Sequence, residues 1–477
     1  MTTIAVIGRG VLLGKVHRVL IVAPSSVCSV WPMELADYAD FPYEARVLSG
    51  TAAKRVETLR KPWRKGCAQI AIINYEATWR IEPAIAGWGA DMIVCDESQR
   101  IKNPTAKQSK AMHRLGARAK YRLILTGTPL QNSPLDVWSQ YRFICPAEFG
   151  GSYYRFRAYY AVMGGMRVNG KPVQVVGYKH LDDLHRRMYR HAMRVTKEEC
   201  LDLPPQTFET RRVELSAAER RVYRQMATES IAYIGERAAT ADIVLTRLLI
   251  LQRLTGGFLR LDEDASATQI GKSKLDELER IVCDYVGTGV TTGFSPSVKA
   301  DGFDSPLVRG GQGVTDGGSL PQSPDGDSSL IRGSQEKVVV FCRFVDELKA
   351  ITEMLAHNGI GYAAIWGAVK QEARGEEVRR FQTDDGCRVF VAQIDTAGLG
   401  ITLTAARIAI FYSPTWNYAS YQQALARTHR IGQRGAECHY IHLICPGTVD
   451  EDVMRALDAK KNLADLVVEG KTTLQEG

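Results

Sequence analysis

Short apolar segments recur in the first 125 residues of the chain, and each of them runs directly into polar residues. Four such segments occupy residues 18–23, 69–73, 92–95 and 122–125. Their length and continuous apolar character are typical of strands buried on both faces of a parallel sheet, and helical stretches lie between them. Because the carboxyl ends of parallel strands meet at one sheet edge, the residues that follow the strands are the expected ligand-binding groups. The pattern predicts an α/β lobe with its site at that edge.

A second series of such segments begins at Lys337 and predicts a second α/β lobe. Strands are expected at residues 337–344, 387–392, 408–412 and 439–445, and an amphipathic terminal helix at 449–468. We therefore predict an α/β fold of two lobes with parallel sheets, plus helical insertions and a flexible Gly/Ser-rich insertion. The expected boundaries are 1–145 for the first lobe, 146–285 for helical protrusions and a linker, 286–334 for the flexible insertion and 335–477 for the second lobe.

The range 146–285 contains charged, aromatic-rich segments that we interpret as helices. Two interpretations of its cations stay open, a basic helix face against nucleic acid and a solvated surface helix interleaved with Asp182 and Asp183. The cations in question are His185, Arg186, Arg187, Arg190 and Arg194.

Composition narrows the class of protein only in part. The formal charge of +8, from 61 Lys plus Arg against 53 Asp plus Glu, permits nucleic-acid binding but does not establish it. The ten cysteines form no CxxC pair, which argues against a zinc knuckle and a disulfide framework. No apolar run is long enough to span a bilayer and no signal peptide is evident, so we expect a cytoplasmic protein, nucleoid-associated in a bacterium or virus and nuclear in a eukaryote.

Two adjacent carboxylates follow the third apolar segment and carry the clearest chemistry. Asp96 is suited to hold Mg²⁺ through water, and Glu97 is suited to orient and deprotonate an attacking water. One strand later comes the run LTGTP, in which Thr126 and Thr128 are placed to sense a γ-phosphate. An ordinary turn on Gly127 and Pro129 would also explain this run.

The segment YQQALARTHRIGQ, residues 421–433, supplies two arginines. If the whole segment is helical, Arg427 and Arg430 share one face, with Gln423 one turn before Arg427. Guanidinium groups keep their charge and present a fork of donors to phosphate oxygens. A solvated basic helix end is the alternative.

Taken together, these runs resemble the SWI/SNF-type DNA translocases of helicase superfamily 2. The resemblance covers nearly the whole chain outside the flexible insertion. The matching runs, in the order of the family, are LIVAPSSVCSVWPMEL, INYE, DESQRIKNP, LTGTPLQN, LQRLTGGFL, KVVVFCRF, TAGLGITLTAA and YSPTWNYASYQQALARTHRIGQ.

The resemblance implies two RecA-like lobes with ATP and Mg²⁺ between them and double-stranded or branched DNA across both. Arg427 and Arg430 match the pair that completes the ATP site from the second lobe. The residues that it assigns to the cofactor are Asp96, Thr126, Asp395, Gly398 and Gln423. The residues that it places near the DNA are Pro24, Ser25, Asn74, Thr402, Trp416 and Asn417.

The chain departs from the family at two places. Gln99 stands where many relatives carry His, which should alter coupling more than the metal site. The glycine-rich phosphate loop of the family has no intact counterpart, because residues 8–16 carry Arg9 and Val16 at required positions. Lys15 lies only five positions before Leu20, which leaves no room for a helix, so we expect a strand-turn-strand there and do not assign Lys15 to ATP.

Two explanations of the missing loop lead to different functions. In one, the loop lies outside this sequence, with a second chain as one source, and the protein is an ATP-dependent DNA translocase that remodels or reanneals DNA or displaces bound protein. In the other, the protein is a DNA-binding or scaffolding module without turnover. A nuclease is disfavoured by the lack of further clustered carboxylates, and a DEAD-box RNA helicase by HRIGQ.

Overall fold

The computed structural model describes residues 1–168, 171–236, 241–260, 267–287, 336–369, 371–396 and 401–469. Within these ranges no helix is long and apolar enough to cross a membrane. The predicted insertion at 286–334, apart from Val286 and Gly287, lies outside the described residues.

The first lobe is a five-stranded parallel sheet with helices on both faces. Its strands follow the order β2-β3-β1-β4-β5. They are β1 (Arg18–Ala23), β2 (Tyr43–Val47), β3 (Ala68–Asn74), β4 (Met92–Asp96) and β5 (Tyr121–Leu125). The helices are α1 (Thr2–Leu12), α2 (Trp31–Tyr38), α3 (Ala52–Arg60), α4 (Tyr75–Thr78), α5 (Glu82–Trp88) and α6 (Lys107–Gly116), with a 3-10 turn at Ser98–Ile101.

The central strand β1 shows why this sheet forms. Leu20 and Val22 pack in one apolar layer, and Val19 and Ile21 pack in the layer on the opposite face. All four side chains are fully buried, and each contributes about 1.5–3 kcal/mol relative to an exposed position. The four strands predicted in this lobe are confirmed within one or two residues at their ends.

The expected strand-turn-strand at residues 8–16 is wrong, because most of this range belongs to α1. Gly8 and Gly10 serve close packing instead of a turn. A Cβ on Gly8 would lie 2.7 Å from Phe41 Cδ1, and one on Gly10 would lie 2.7 Å from Val16 Cγ2. The argument that Lys15 leaves no room for a helix was wrong too, since the helix precedes Lys15.

The region after β5 contains strands as well as the predicted helices. The helices are α7 (Asp136–Ile144), α8 (Pro146–Phe149), α9 (Tyr153–Tyr160), α10 (Leu181–Met188), α11 (Lys197–Cys200), α12 (Ala217–Glu236), α13 (Ala241–Thr255) and α14 (Ser273–Val286). The strands are β6 (Ala161–Val168) and β7 (Lys171–Tyr178), which form an antiparallel hairpin, β8 (Gln206–Arg212), and the short pair β9 (Phe258–Leu259) and β10 (Thr268–Gln269).

The cations of this region do not form one basic helix face, because α10 ends at Met188. Glu148 gathers three of them: its Oε1 accepts from Arg187 Nε (2.9 Å) and Arg190 (3.4 Å), and its Oε2 contacts His191 Nε2 (3.0 Å). These side chains therefore hold α8 against α10. The interpretation as a continuous surface for nucleic acid is not supported here.

The second lobe is a six-stranded parallel sheet in the order β12-β13-β11-β14-β15-β8. Its remaining strands are β11 (Val338–Cys342), β12 (Tyr362–Ile365), β13 (Val389–Gln393), β14 (Ile408–Phe411) and β15 (Cys438–Ile444). Its helices are α15 (Val345–His357), α16 (Gln371–Thr383), α17 (Tyr418–Thr428) and α18 (Val449–Glu469). Although β8 precedes the predicted start of this lobe by more than 120 residues, it forms the sheet edge. The predicted α/β fold class is confirmed.

The terminal helix α18 connects the two lobes. Val467 is fully buried in an apolar cluster with Leu184 and Met188 of α10. The carbonyl of Val467 lies 2.8 Å from His185 Nδ1, and the carbonyl of Val468 accepts from the Tyr189 hydroxyl (2.9 Å). These contacts tie the end of the second lobe to the extension of the first.

Candidate nucleotide site between the lobes

The carboxylate of Asp96 lies at the carboxyl end of β4 in a largely buried environment. Trp31 Nε1 donates to Asp96 Oδ2 (3.0 Å), and the Tyr75 hydroxyl donates to the Asp96 carbonyl (2.7 Å). Burial raises the pKa of Asp96 to about 6; the Trp31 hydrogen bond opposes this shift and the charge of Glu97 adds to it. A nearby cation would favour the ionised form, which is the form that binds Mg²⁺.

Glu97 has a left-handed backbone (φ 52°), shared only by His180 among the non-glycine residues that the structure describes. The side-chain amide of Gln99 donates to the Glu97 carboxylate. Gln99 Oε1 in turn accepts from Thr126 Oγ1 (2.8 Å), and that hydroxyl accepts from the Thr128 N–H (3.0 Å). Gln99 therefore joins the predicted base to the predicted phosphate sensor.

A second connection between the same two segments was missed from the sequence. Ser98 Oγ donates to Gln140 Oε1 (2.7 Å), and Gln140 Nε2 donates to the carbonyl of Pro129 (2.8 Å). Ser98 and Gln140 are both buried. Gln140 lies on α7, and no pattern in the sequence pairs it with Ser98.

The arginine segment is helical only in part, so the expected helix over residues 421–433 is wrong in its bounds. Helix α17 begins at Tyr418 and ends at Thr428, which leaves Arg430 beyond the helix. The last carbonyls are satisfied by groups outside the helix, because the Leu403 N–H donates to Arg427 O (3.0 Å) and Gln433 Nε2 donates to Thr428 O (3.0 Å). Arg427 and Arg430 therefore do not share a helix face.

The two arginines differ in their surroundings. Arg427 is 8% exposed, and its terminal nitrogen donates to the Ile401 carbonyl (3.3 Å). Its Nε is buried and has no hydrogen-bond partner within the described ranges. Burial lowers the pKa of Arg427 to about 10; the charge of Arg430 adds to this shift and Glu97 opposes it. Arg430 is exposed.

A cavity of about 370 Å³ lies between the lobes and brings several predicted residues together. This volume is within the range of small-molecule sites. Glu97 and Thr128 line it from the first lobe, and Gln423 and Arg427 line it from the second. The lining residues that the sequence interpretation did not name as site residues are Gly127, Lys197, Gln206, Gln422, Leu425, Ala426 and His429.

A second cavity, of about 270 Å³, places the amino end of α1 beside Asp96. Met1 to Ile4 line it together with Trp31 and Asp96. The first N–H groups of a helix and its dipole favour an anion at this position. Lys15 follows the opposite end of α1, roughly 16 Å away for a helix of 11 residues.

The other predicted nucleotide residues lie in the second lobe. Asp395 follows β13, and its Oδ1 accepts from Ser420 Oγ of α17 (3.0 Å). The site therefore shares a contact with the arginine helix. Gly398 lies outside the described residues.

Three of the predicted DNA contacts lie at one edge of the first sheet. Pro24 and Ser25 follow β1, and Asn74 ends β3, where it pairs in register with Ala23. Pro24 is buried and Ser25 is exposed, while Asn74 Nδ2 donates to Glu76 Oε2 (2.9 Å). The structure brings these three together, and their contact with DNA stays a prediction.

The remaining three lie in the second lobe. The carbonyl of Thr402 accepts from Gln382 Nε2 (2.9 Å). Asn417 caps α17, since its Oδ1 accepts from the Ala419 N–H (3.1 Å), and Trp416 precedes it half-buried. Asn417 thus has a structural role, whether or not it also contacts DNA.

The donor set fits a magnesium nucleotide. Carboxylate oxygens of Asp96 and Glu97 are ligands that Mg²⁺ prefers, and Mg²⁺ is commonly held by one or two carboxylates plus substrate phosphates. The unpaired Nε of buried Arg427 is a charged donor beside the same cavity. A phosphate oxygen is a matching acceptor for it.

Comparison with known protein families is consistent with this site. A family model described as the SNF2-related domain matches residues 1–256, and one described as the helicase conserved C-terminal domain matches residues 328–432. The two matches define the class of the protein, a DNA-dependent ATPase of the helicase type. Since the first match covers more than half of the chain, the chain belongs to the SNF2-related domain family, which uses ATP.

Similar proteins include large transcription-related factors. The chain is 27% identical over 461 residues to the TATA-binding protein-associated factor MOT1 of Saccharomyces cerevisiae, covering 94% of the chain and 24% of that protein. It is 24% identical to the human chromodomain-helicase-DNA-binding protein 1, covering 96% of the chain and 24% of that protein. The chain thus spans about a quarter of the length of these relatives.

A solved structure also matches, the Sulfolobus solfataricus SWI2/SNF2 ATPase core in complex with dsDNA. The identity is 22%, the TM-score is 0.39, and the match covers 98% of this chain and 86% of that one.

Proposed function

We propose that this chain hydrolyses ATP with Mg²⁺ and uses the cycle to move along double-stranded or branched DNA. The observation that carries the proposal is the cavity between the lobes, which Glu97 lines from one side and Arg427 from the other. A pure binding module has no need of a carboxylate and a buried arginine that face one cavity from separate lobes. Remodelling, reannealing and displacement of bound protein are the outcomes that we propose for such movement.

Each residue has a proposed role in hydrolysis. Asp96 holds Mg²⁺ through water, and Glu97 accepts a proton from the attacking water. Arg427 and Arg430 neutralise charge that develops on the γ-phosphate, and Gln423 lies beside them as a polar partner. Bound Mg²⁺ supplies charge neutralisation on the phosphate oxygens.

The contacts between Glu97 and Thr126 provide a route from the nucleotide to the DNA. Thr126 follows β5, and the Gln99 side chain connects it to Glu97. The proposed DNA residues of the first lobe, Ser25 and Asn74, end other strands at the same sheet edge. Opening and closing of the lobes would then move this edge relative to Thr402, Trp416 and Asn417 of the second lobe.

The test is turnover of ATP by the full chain with and without duplex DNA, with Glu97→Gln as the variant. We expect stimulation by duplex and a loss of turnover of about a hundredfold or more in Glu97→Gln, because the base is lost while size and hydrogen bonding are kept. Asp37→Asn, an exposed change in the same lobe, is the control. Equal turnover in Glu97→Gln and the unchanged chain would disprove the assignment.

One observation favours a second candidate, a DNA-binding or scaffolding module without turnover. Lys15 lies at the end of α1 that faces away from Asp96, so it does not act as the lysine of a phosphate loop. A loop supplied by another polypeptide would have to lie at the cavity beside Asp96. Duplex binding without any nucleotide binding, with or without added partner, would establish this second function.

A further inference from the structure

We infer that Lys197, on the linker between the lobes, is a further phosphate-binding residue of the cavity, so that the nucleotide meets two cations from the side of the second lobe. This inference rests on the proposed function. Lys197 lines the cavity together with Arg427, across from Glu97.

The backbone of Lys197 is fixed by a capped helical turn. Thr196 Oγ1 accepts from the Glu199 N–H (3.3 Å), and the Glu199 carboxylate accepts from the Thr196 N–H (2.7 Å). At the other end of the turn, the Leu201 N–H donates to Lys197 O (2.7 Å). This reciprocal cap places Lys197 at the first position of α11.

Two hydrogen bonds attach the linker to the end of the arginine helix. Lys197 Nζ donates to the carbonyl of His429 (2.8 Å), and His429 Nε2 donates to the carbonyl of Pro204 (3.0 Å). Because a carbonyl only accepts, His429 Nε2 carries a hydrogen. His429 is buried and directly follows α17. The ammonium group of Lys197 therefore moves with Arg427 when the lobes move.

The charge of Lys197 calls for more than its bond to His429. A neutral donor such as an amide would serve a backbone carbonyl equally well, and a cation next to buried Arg427 adds repulsion. A magnesium-bound triphosphate still carries net negative charge, and it would turn this repulsion into a favourable pair of contacts. Lysine is a common phosphate ligand because its ammonium acts as a compact charge with rotatable donors.

The experiment separates the charge of Lys197 from its hydrogen bond to His429. Binding of a fluorescent ATP analogue with Mg²⁺ is measured by anisotropy for the full chain and for Lys197→Arg, Lys197→Gln and Lys197→Met. We expect binding about tenfold weaker or more in the Gln and Met variants, and binding close to that of the unchanged chain in the Arg variant. Lys461→Met, an exposed change on α18 with the same loss of charge, should bind normally.

Each other outcome overturns the inference in a recognisable way. Tight binding by Lys197→Gln would mean that Lys197 serves only to hold His429. An equal loss of duplex affinity in Lys197→Met, measured by mobility shift, would mean that Lys197 contacts DNA. Absence of binding by the unchanged chain would overturn the proposed function itself, and with it this role. If Lys197→Met fails to fold, the comparison of the Gln and Arg variants still decides.

Discussion

The buried carboxylate of Asp96 carries a cost in stability that the change Asp96→Asn should remove. Its pKa is about 6 in the folded chain against an ordinary value of 3.8. Because the folded-state value is the higher one, the folded chain binds more protons between these pH values, and stability falls as pH rises through them. At 1.36 kcal/mol per pKa unit, the full cost is about 3 kcal/mol at pH 7.5 and about half of that at pH 5.

Thermal melting without Mg²⁺ or nucleotide measures this cost. Asp96→Asn keeps the shape of the side chain and an oxygen for the Trp31 hydrogen bond. We expect its melting temperature to exceed that of the unchanged chain by about 6 °C at pH 7.5, and by clearly less at pH 5. Stabilisation by Mg²⁺ with nucleotide should be lost in the same variant. The exposed change Asp37→Asn should have little effect at either pH.

The reasoning would be refuted by an Asn variant that melts at the same temperature as the unchanged chain, or lower, at pH 7.5. That result would mean that the Asp96 carboxylate is as well stabilised in the fold as in water. A gain of equal size at both pH values would show that the effect has another origin than ionisation.

Three further predictions concern the arginines, the sensor and the core of the second lobe. Arg427→Met and Arg430→Ala should each lower turnover by about a thousandfold while duplex affinity is kept, and a parallel loss of duplex affinity would show that the segment contacts DNA instead. Thr126→Val should reduce the ratio of duplex-stimulated to basal turnover by several-fold, because the hydroxyl that links the two segments is lost; an unchanged ratio would contradict this. Lys274→Met should lower the free energy of unfolding in urea by about 3–5 kcal/mol, since it leaves Asp450 buried without its partner at 2.6 Å, and the double change with Asp450→Leu should recover most of the loss.

Local patterns in the sequence were sufficient to predict the strands of both lobes. A continuous apolar run such as residues 18–23 can satisfy its backbone and bury both faces only in the middle of a parallel sheet. The same logic placed Asp96 and Glu97 at a sheet edge. The edge strand β8 was missed because its side chains are mostly exposed, so its sequence shows no apolar run.

The errors have a common cause, which is contact between residues far apart in the chain. Gly8 suggested a turn, but it is required by the approach of Phe41 to α1. The end of α17 before Arg430 depends on hydrogen bonds from Leu403 and Gln433. Lys197 enters the cavity only because the linker is attached to the segment after α17. No local period in the sequence encodes such contacts.

The geometry also shows how the work of assembly is divided between the lobes. Glu97 has a strained backbone, which costs on the order of 1–2 kcal/mol, and its carboxylate is held by Gln99, which is held in turn by Thr126. All of these contacts come from the first lobe. Arg427 is held by the Ile401 carbonyl, which belongs to the second lobe. Each half of the site is therefore oriented before the lobes meet, so closure requires an approach of two rigid bodies and little rearrangement of side chains.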